Sequence, residues 1–177
     1  MAGYHIYLIS SLPMLHFGAK PPFSFERFLS MCKGLIPESE IEMLKTSKAI
    51  EDFHYKGPGE ETLKKLQAFE VALRNDLVKI RASRKHTDPL KYLRQGDFSE
   101  LSLQHTAASA YRNPSPLEGE KILDLERWRK LEELAAGHYF DTDSLLIYAQ
   151  KLLILERWER IHSGHASRLI EEVLEKS

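Results

Sequence analysis

The sequence predicts an all-α fold, and three observations predict it. Glu60 to about His86 carries Leu63, Leu66, Glu70, Leu73, Leu77 and Ile80 at spacings of three and four, the period of one helix face. That stretch is ~27 residues, or about 40 Å of helix at 1.5 Å per residue. Two further apolar-periodic stretches, near 117–136 and 143–163, are joined by a loop short enough to make them an antiparallel pair. Strand signal is confined to the N-terminus. The expected architecture is a helical bundle built on one long helix and an antiparallel helix pair, a single helical domain over residues 1–177, with a short N-terminal strand as an optional addition.

In chain order, Tyr4 to Pro13 is enriched in aromatic and β-branched residues and reads as a short strand or extended piece. A buried N-terminal helix is the alternative, because short apolar runs are ambiguous. Residues 13–23 hold three prolines and Gly18, a loop. Ser24 opens a short amphipathic helix with Phe25, Phe28, Leu29 and Cys32 on one side, and Gly34 stops it. Pro37 starts another, and residues 54–59 form a second loop. The long helix ends at Thr87-Asp88-Pro89, since a residue before proline disfavours helix. Residues 89–116 read as loops with one or two short helices. The helix from Leu117 turns Ile122, Leu125, Trp128, Leu131 and Ala135 inward, and Gly137 stops it. The next begins at a cap among Asp141, Thr142 and Asp143 and is apolar on most sides, the mark of a central core helix. Gly164 is expected to break it before a last short helix over Ala166–Glu175.

Composition narrows the function. At roughly 100–200 residues per domain, 177 residues make one domain, or at most two small ones. The net charge of −1 argues against a general nucleic-acid binder. A single cysteine, Cys32, forms no internal disulfide and reads as a small core residue. No apolar run reaches the ~20 residues that span a bilayer. The N-terminus has no basic region ahead of its apolar stretch, so a cytoplasmic protein without membrane insertion is expected. There is no phosphate loop, no GxSxG and no HExxH, so neither an enzyme nor a cofactor is expected. His162, His165 and His138 raise the question of a metal. The Gly164 between the first two breaks helical geometry, and no ligand-spaced carboxylate is read beside them, so no metal site is expected.

One local charge bias stands out. Residues 74–94 hold seven basic residues against two carboxylates. Arg74, Arg81 and Lys85 share one face of the long helix, and Arg84 lies beside them. These four are the candidate partner-binding residues. The competing readings are a solvated face with intrahelical pairs, an acidic protein partner, or a nucleic acid or lipid. No aromatics interleave the basic residues, which weakens a single-strand reading. Residues 117–143 lean acidic, with eight carboxylates against four basic residues. An ion pair of Glu156 with Arg74 or Arg127 is one expected consequence. The sequence also repeats itself once: LDLERWRKL at 123–131 echoes LILERWERI at 153–161. The simplest reading is two helices that anchor tryptophans in one core, the alternative a duplicated binding face.

Several stretches resemble an uncharacterised bacterial family encoded within V-type ATPase operons. They are Tyr7–Pro13, Phe69–Asn75, Ala82–His86 with Asp88-Pro89, Leu125–Leu131 and Leu155–Trp158. That family is distantly similar to the socket component (C) of V-type ATPases, the all-helical piece between central stalk and membrane rotor ring. The resemblance implies a reduced, socket-like, non-catalytic subunit or assembly partner that docks to central-stalk or rotor-ring subunits, peripheral to the inner membrane. A helical protein-binding adaptor unrelated to an ATPase is the other expectation.

Overall fold

The computed structural model describes residues 2–48, 56–96 and 101–175, with side chains over 5–48, 56–96 and 101–164. The fold is all-α. Its helices are α1 (Ala2–Ser11), α2 (Phe25–Cys32), α3 (Glu38–Thr46), α4 (Glu60–Lys85), α5 (Leu101–Arg112), α6 (Pro116–Leu134) and α7 (Thr142–Glu175), with a 3₁₀ turn at Pro89–Tyr92. No strand occurs among the described residues. The N-terminal segment is therefore helix rather than strand. A lone strand here would find no second strand to pair its backbone groups, whereas a helix satisfies them internally.

The chain divides into two compact units: Met1–Lys48 with His138–Ser177, and Ala49–Gly137. The first is organised around α7. Leu145, Leu146, Ala149, Leu152 and Leu155 are fully buried, and Trp158 nearly so. A helix this apolar is stable only when covered on several sides. Phe25 and Phe28 of α2 and Ile41 and Leu44 of α3 are buried in the same unit, and both helices pack on α7. Polar ties fix the register. Tyr148 donates its hydroxyl to the Pro13 carbonyl at 3.1 Å, and the Gln150 amide donates to the Ser47 carbonyl and hydroxyl at 3.0 Å each. Burial pushes the Tyr148 hydroxyl up to about 12 and the Cys32 thiol to about 12, with the Glu40 charge adding to the latter. Cys32 is thus a protonated core group at neutral pH, as its apolar neighbours in α2 suggest.

The longest-range tie is Glu156. Its carboxylate accepts the Phe25 amide at 2.9 Å. Ser24 caps the same helix end by accepting the Arg27 amide at 3.1 Å. So Glu156 pairs with a helix N-terminus, where negative charge is favoured, whereas Arg127, one of the two arginines expected for it from sequence, bonds Glu70 and Asp124. Helix α7 runs on through Gly164 to Glu175. One glycine in a helix interior costs only about 1 kcal/mol relative to alanine, and no proline follows to force a stop.

In the second unit α4, α5 and α6 pack on one another. Phe69, Ala72 and Leu73 of α4 meet Leu103, Ala107 and Ala110 of α5 and Leu123 of α6. Along α6 the buried side chains are Leu123, Asp124, Trp128 and Leu131, so Leu123 rather than Leu125 leads the inner face. Asp124 is accounted for by Arg127, whose guanidinium reaches it at 2.9 Å and Glu70 of α4 at 2.9 Å. Burial alone would lower the Arg127 pKa, but the two carboxylates outweigh it and hold it above the ordinary value. After the 3₁₀ turn the chain returns along α4. Asn75 clamps it, donating to the Arg94 carbonyl at 2.8 Å and accepting the Arg94 amide at 2.9 Å. The segment expected to be mixed, 89–116, thus contains the 3₁₀ turn and the twelve-residue α5. Trp128 and Trp158 are both buried.

If Glu156 holds α2 to α7, Glu156→Ala should cost about 1.5–3 kcal/mol, the range for hydrogen bonds to charged groups. Glu159→Ala removes only an exposed partner of Lys20 at 3.6 Å, and should cost about 0–1 kcal/mol. Urea unfolding of the two variants compares them directly, and equal midpoints would contradict the assignment.

Candidate functional site: a basic face at the end of the long helix

Helix α4 stops through its own backbone. His86 adopts a left-handed conformation, φ 52 and ψ 38, and the Thr87 amide bonds back to the Ala82 carbonyl at 3.1 Å. The following Asp88 side chain accepts the Leu90 amide at 3.0 Å and opens the 3₁₀ turn. This C-terminal arrangement leaves the last turns of α4 projecting basic side chains. Arg84 and Lys85 sit in the final turn, where positive charge complements the helix dipole.

The four basic residues singled out from sequence, Arg74, Arg81, Arg84 and Lys85, are all exposed. They divide into two groups. Arg74 makes an interaction within the chain. Arg81, Arg84 and Lys85 form one cluster within two turns, and among the described residues no carboxylate pairs with them. The contrast lies within one helix. Lys64 pairs with Glu60 at 2.6 Å, Lys65 with Glu61 at 3.4 Å and Lys79 with Asp76 at 3.0 Å. No acidic residue stands three or four positions before Arg81, Arg84 or Lys85, and Asp88, which follows at that spacing, lies past the helix end and accepts the Leu90 amide instead.

Two features beside this cluster were not anticipated from sequence. The Arg84 guanidinium lies over the Tyr111 ring, 5.2 Å from its centroid, so α5 steadies it. Next to Arg81 a cleft of about 200 Å³ opens, lined by Leu77, Tyr111, Pro116, Glu120 and Leu123. Ala110 and Gly119 line it too, where α5 and α6 approach backbone to backbone: a Cβ on Gly119 would stand 2.7 Å from the Ala110 carbonyl oxygen. The signal for Tyr111 was weak, since it lies 27 positions from Arg84 in a stretch expected to be mostly loop.

A second cluster lies at the start of α7. His138 Nδ1 is 2.6 Å from Asp141 Oδ2 and 3.8 Å from Asp143 Oδ2. From sequence no carboxylate stands at ligand spacing from a histidine, and the loop turn overturns that by folding these two onto His138. They are the described groups nearest to a metal-ligand set, all within 4.8 Å of one another. Capping accounts for their placement. Asp141 accepts the Ser144 amide at 2.9 Å, and Ser144 returns the bond by accepting the Asp141 amide at 3.2 Å. Partial burial pushes the Asp141 carboxyl up, but hydrogen bonds from His138 and the Ser144 amide outweigh it and hold it below the usual carboxylate range. His162 lies elsewhere, its ring tilted against that of Trp158 with centroids 5.9 Å apart. The His165 side chain is outside the described residues.

The first unit also holds a groove of about 740 Å³ between Ser24, Lys48, Glu156 and Arg160. Several of its charges are already paired. Lys48 bonds Glu26 at 2.8 Å and sits 4.4 Å from the Phe25 ring centroid, while Glu156 occupies the α2 amide.

The molecule is therefore an all-α protein whose clearest open feature is a cationic helix end beside a small apolar cleft. The model of a family described as a protein of unknown function, DUF2764, matches residues 101–176, which span α5, α6 and α7. No curated protein and no solved structure matches the chain.

Removing the Asp141 cap by Asp141→Ala should cost about 1 kcal/mol at neutral pH. Because the folded carboxyl is depressed, this stability is present above the unfolded pKa and is lost as pH falls through the lower folded value. The gap in urea midpoint between wild type and variant should shrink below the ordinary carboxylate range. A gap that stays constant into acid would show that the charge contributes nothing.

Proposed function

We propose that this chain is a non-catalytic subunit or assembly partner of a V-type ATPase, similar to its socket component, that docks to the central stalk or rotor ring. The observation that supports docking is the cluster of Arg81, Arg84 and Lys85, exposed and without carboxylate partners among the described residues. Cations left open on a helix held by a packed core recognise an acidic surface and steer its approach. The link to the ATPase rests on the resemblance of Tyr7–Pro13, Phe69–Asn75 and the two Glu-Arg-Trp segments. The family match is compatible with it and carries no function of its own.

In this reading the protein works in the cytoplasm and reaches the inner membrane only through the ATPase. No helix among the described residues is long and apolar enough to cross a membrane. The protein does no chemistry itself: its partner-facing groups are cations, which bind and orient.

The test is a pull-down of tagged protein from the native cell at two salt concentrations. Wild type should recover ATPase stalk or ring subunits. The double variant Arg81→Glu with Arg84→Glu should keep its fold, since exposed charges contribute about 0–1 kcal/mol each. It should recover less of the same subunits, with a weaker dependence on salt. Equal recovery at low salt would show a solvated face. Recovery of a different acidic protein, with no ATPase subunit, would replace this reading by the unrelated adaptor.

A further inference from the structure

We propose that the cleft beside Arg81 receives one apolar side chain of an acidic partner segment, while Arg81 takes a carboxylate adjacent to that side chain. This rests on the docking reading and adds the chemistry of what docks. A charged surface alone gives steering with little specificity. Specificity needs an anchor in a desolvated pocket, and the second unit supplies one next to its open cations.

The floor and walls suit an aliphatic group. Leu77 lies on the inward stripe of α4 yet is only half-buried, and Leu123 of α6 is buried behind it. Tyr111 and Pro116 form the walls, and the volume of about 200 Å³ holds one side chain rather than a small-molecule ligand; such ligand sites run from about 300 Å³ upward. The backbone contact at Gly119 and Ala110 fixes the position of α5 against α6, so the cleft is built before any partner arrives. Arg84 is held by Tyr111, which lowers the ordering cost of the cation next to it.

The occupant follows from charge. Arg81 reaches the cleft, and Arg84 and Lys85 stand within one turn of it. None of the three has a carboxylate partner among the described residues, so a segment with glutamates or aspartates around one leucine-sized residue complements both parts.

The experiment is fluorescence anisotropy with the full chain and a fluorescein-labelled glutamate peptide carrying one leucine. The same peptide with alanine for leucine is the second probe. Saturable binding of the leucine peptide is expected. Alanine in the probe should weaken it about tenfold through lost pocket contact. Arg81→Glu should weaken it by about tenfold through charge. Lys64→Glu with Lys65→Glu, the same kind of charge reversal at the far end of α4, should leave it unchanged, and circular dichroism checks that each variant folds. Equal binding of the two peptides, equal losses in both variants, or no saturation by about 1 mM would overturn the proposal. Wild type that recovers ATPase subunits but ignores the leucine peptide would overturn the cleft alone. Peptide binding without ATPase recovery would leave the cleft and remove the ATPase.

Discussion

The candidate site depends on one buried charge cluster. Arg127 of α6 bonds Glu70 of α4 and Asp124 of its own helix, and Asp124 is almost completely enclosed. Two carboxylates against one cation inside a core is a costly arrangement unless every member is hydrogen-bonded. The requirement is directional: α6 satisfies it only in one register along α4. That register puts Gly119 against the Ala110 carbonyl and opens the cleft beside Arg81. Apolar contacts among Phe69, Leu73, Leu103 and Leu123 supply attraction, but apolar surfaces tolerate sliding. The charged tie is what selects a position.

The repeated Leu-Glu-Arg-Trp segment shows how the same four residues are used differently. In both copies the tryptophan is buried. In α6 the arginine carries the long-range tie, to Glu70, while Glu126 pairs with Arg129 at 3.3 Å within its own helix. In α7 the glutamate carries it, to the amide of Phe25. What decides is the neighbour each helix meets. Helix α6 faces a carboxylate on α4, and α7 faces the open N-terminus of α2. In each copy the tryptophan is packed inside and a charged neighbour ties the helix to another element.

Much of this was legible in the sequence where periodicity was long. The 26-residue α4, the cap at Ser24 and the buried tryptophans follow from spacing and capping chemistry. The N-terminal strand and the break at Gly164 failed for the same reason, since local propensity is a weak prior when the alternative is also tolerated. Helix α5 was hidden because Leu103, Ala107 and Ala110 make a stripe of small residues with little hydrophobic contrast. Glu70 was the missed signal. A carboxylate on an otherwise apolar stripe requires a cation from another element, and that would have pointed to Arg127. The basic cluster itself was readable, whereas Tyr111 and the cleft are products of tertiary packing.

The most direct test of this account is a double-mutant cycle on Glu70→Gln and Arg127→Met, read by urea unfolding. A structural tie that sets the register of α6 on α4 predicts a coupling energy of about 1–3 kcal/mol between the two sites. Arg127→Met alone should be the more damaging single change, because it leaves both Glu70 and Asp124 without their cation. Additive effects, with coupling near zero, would show that the apolar core alone holds α6 in place and that the charge cluster follows the fold rather than fixing it.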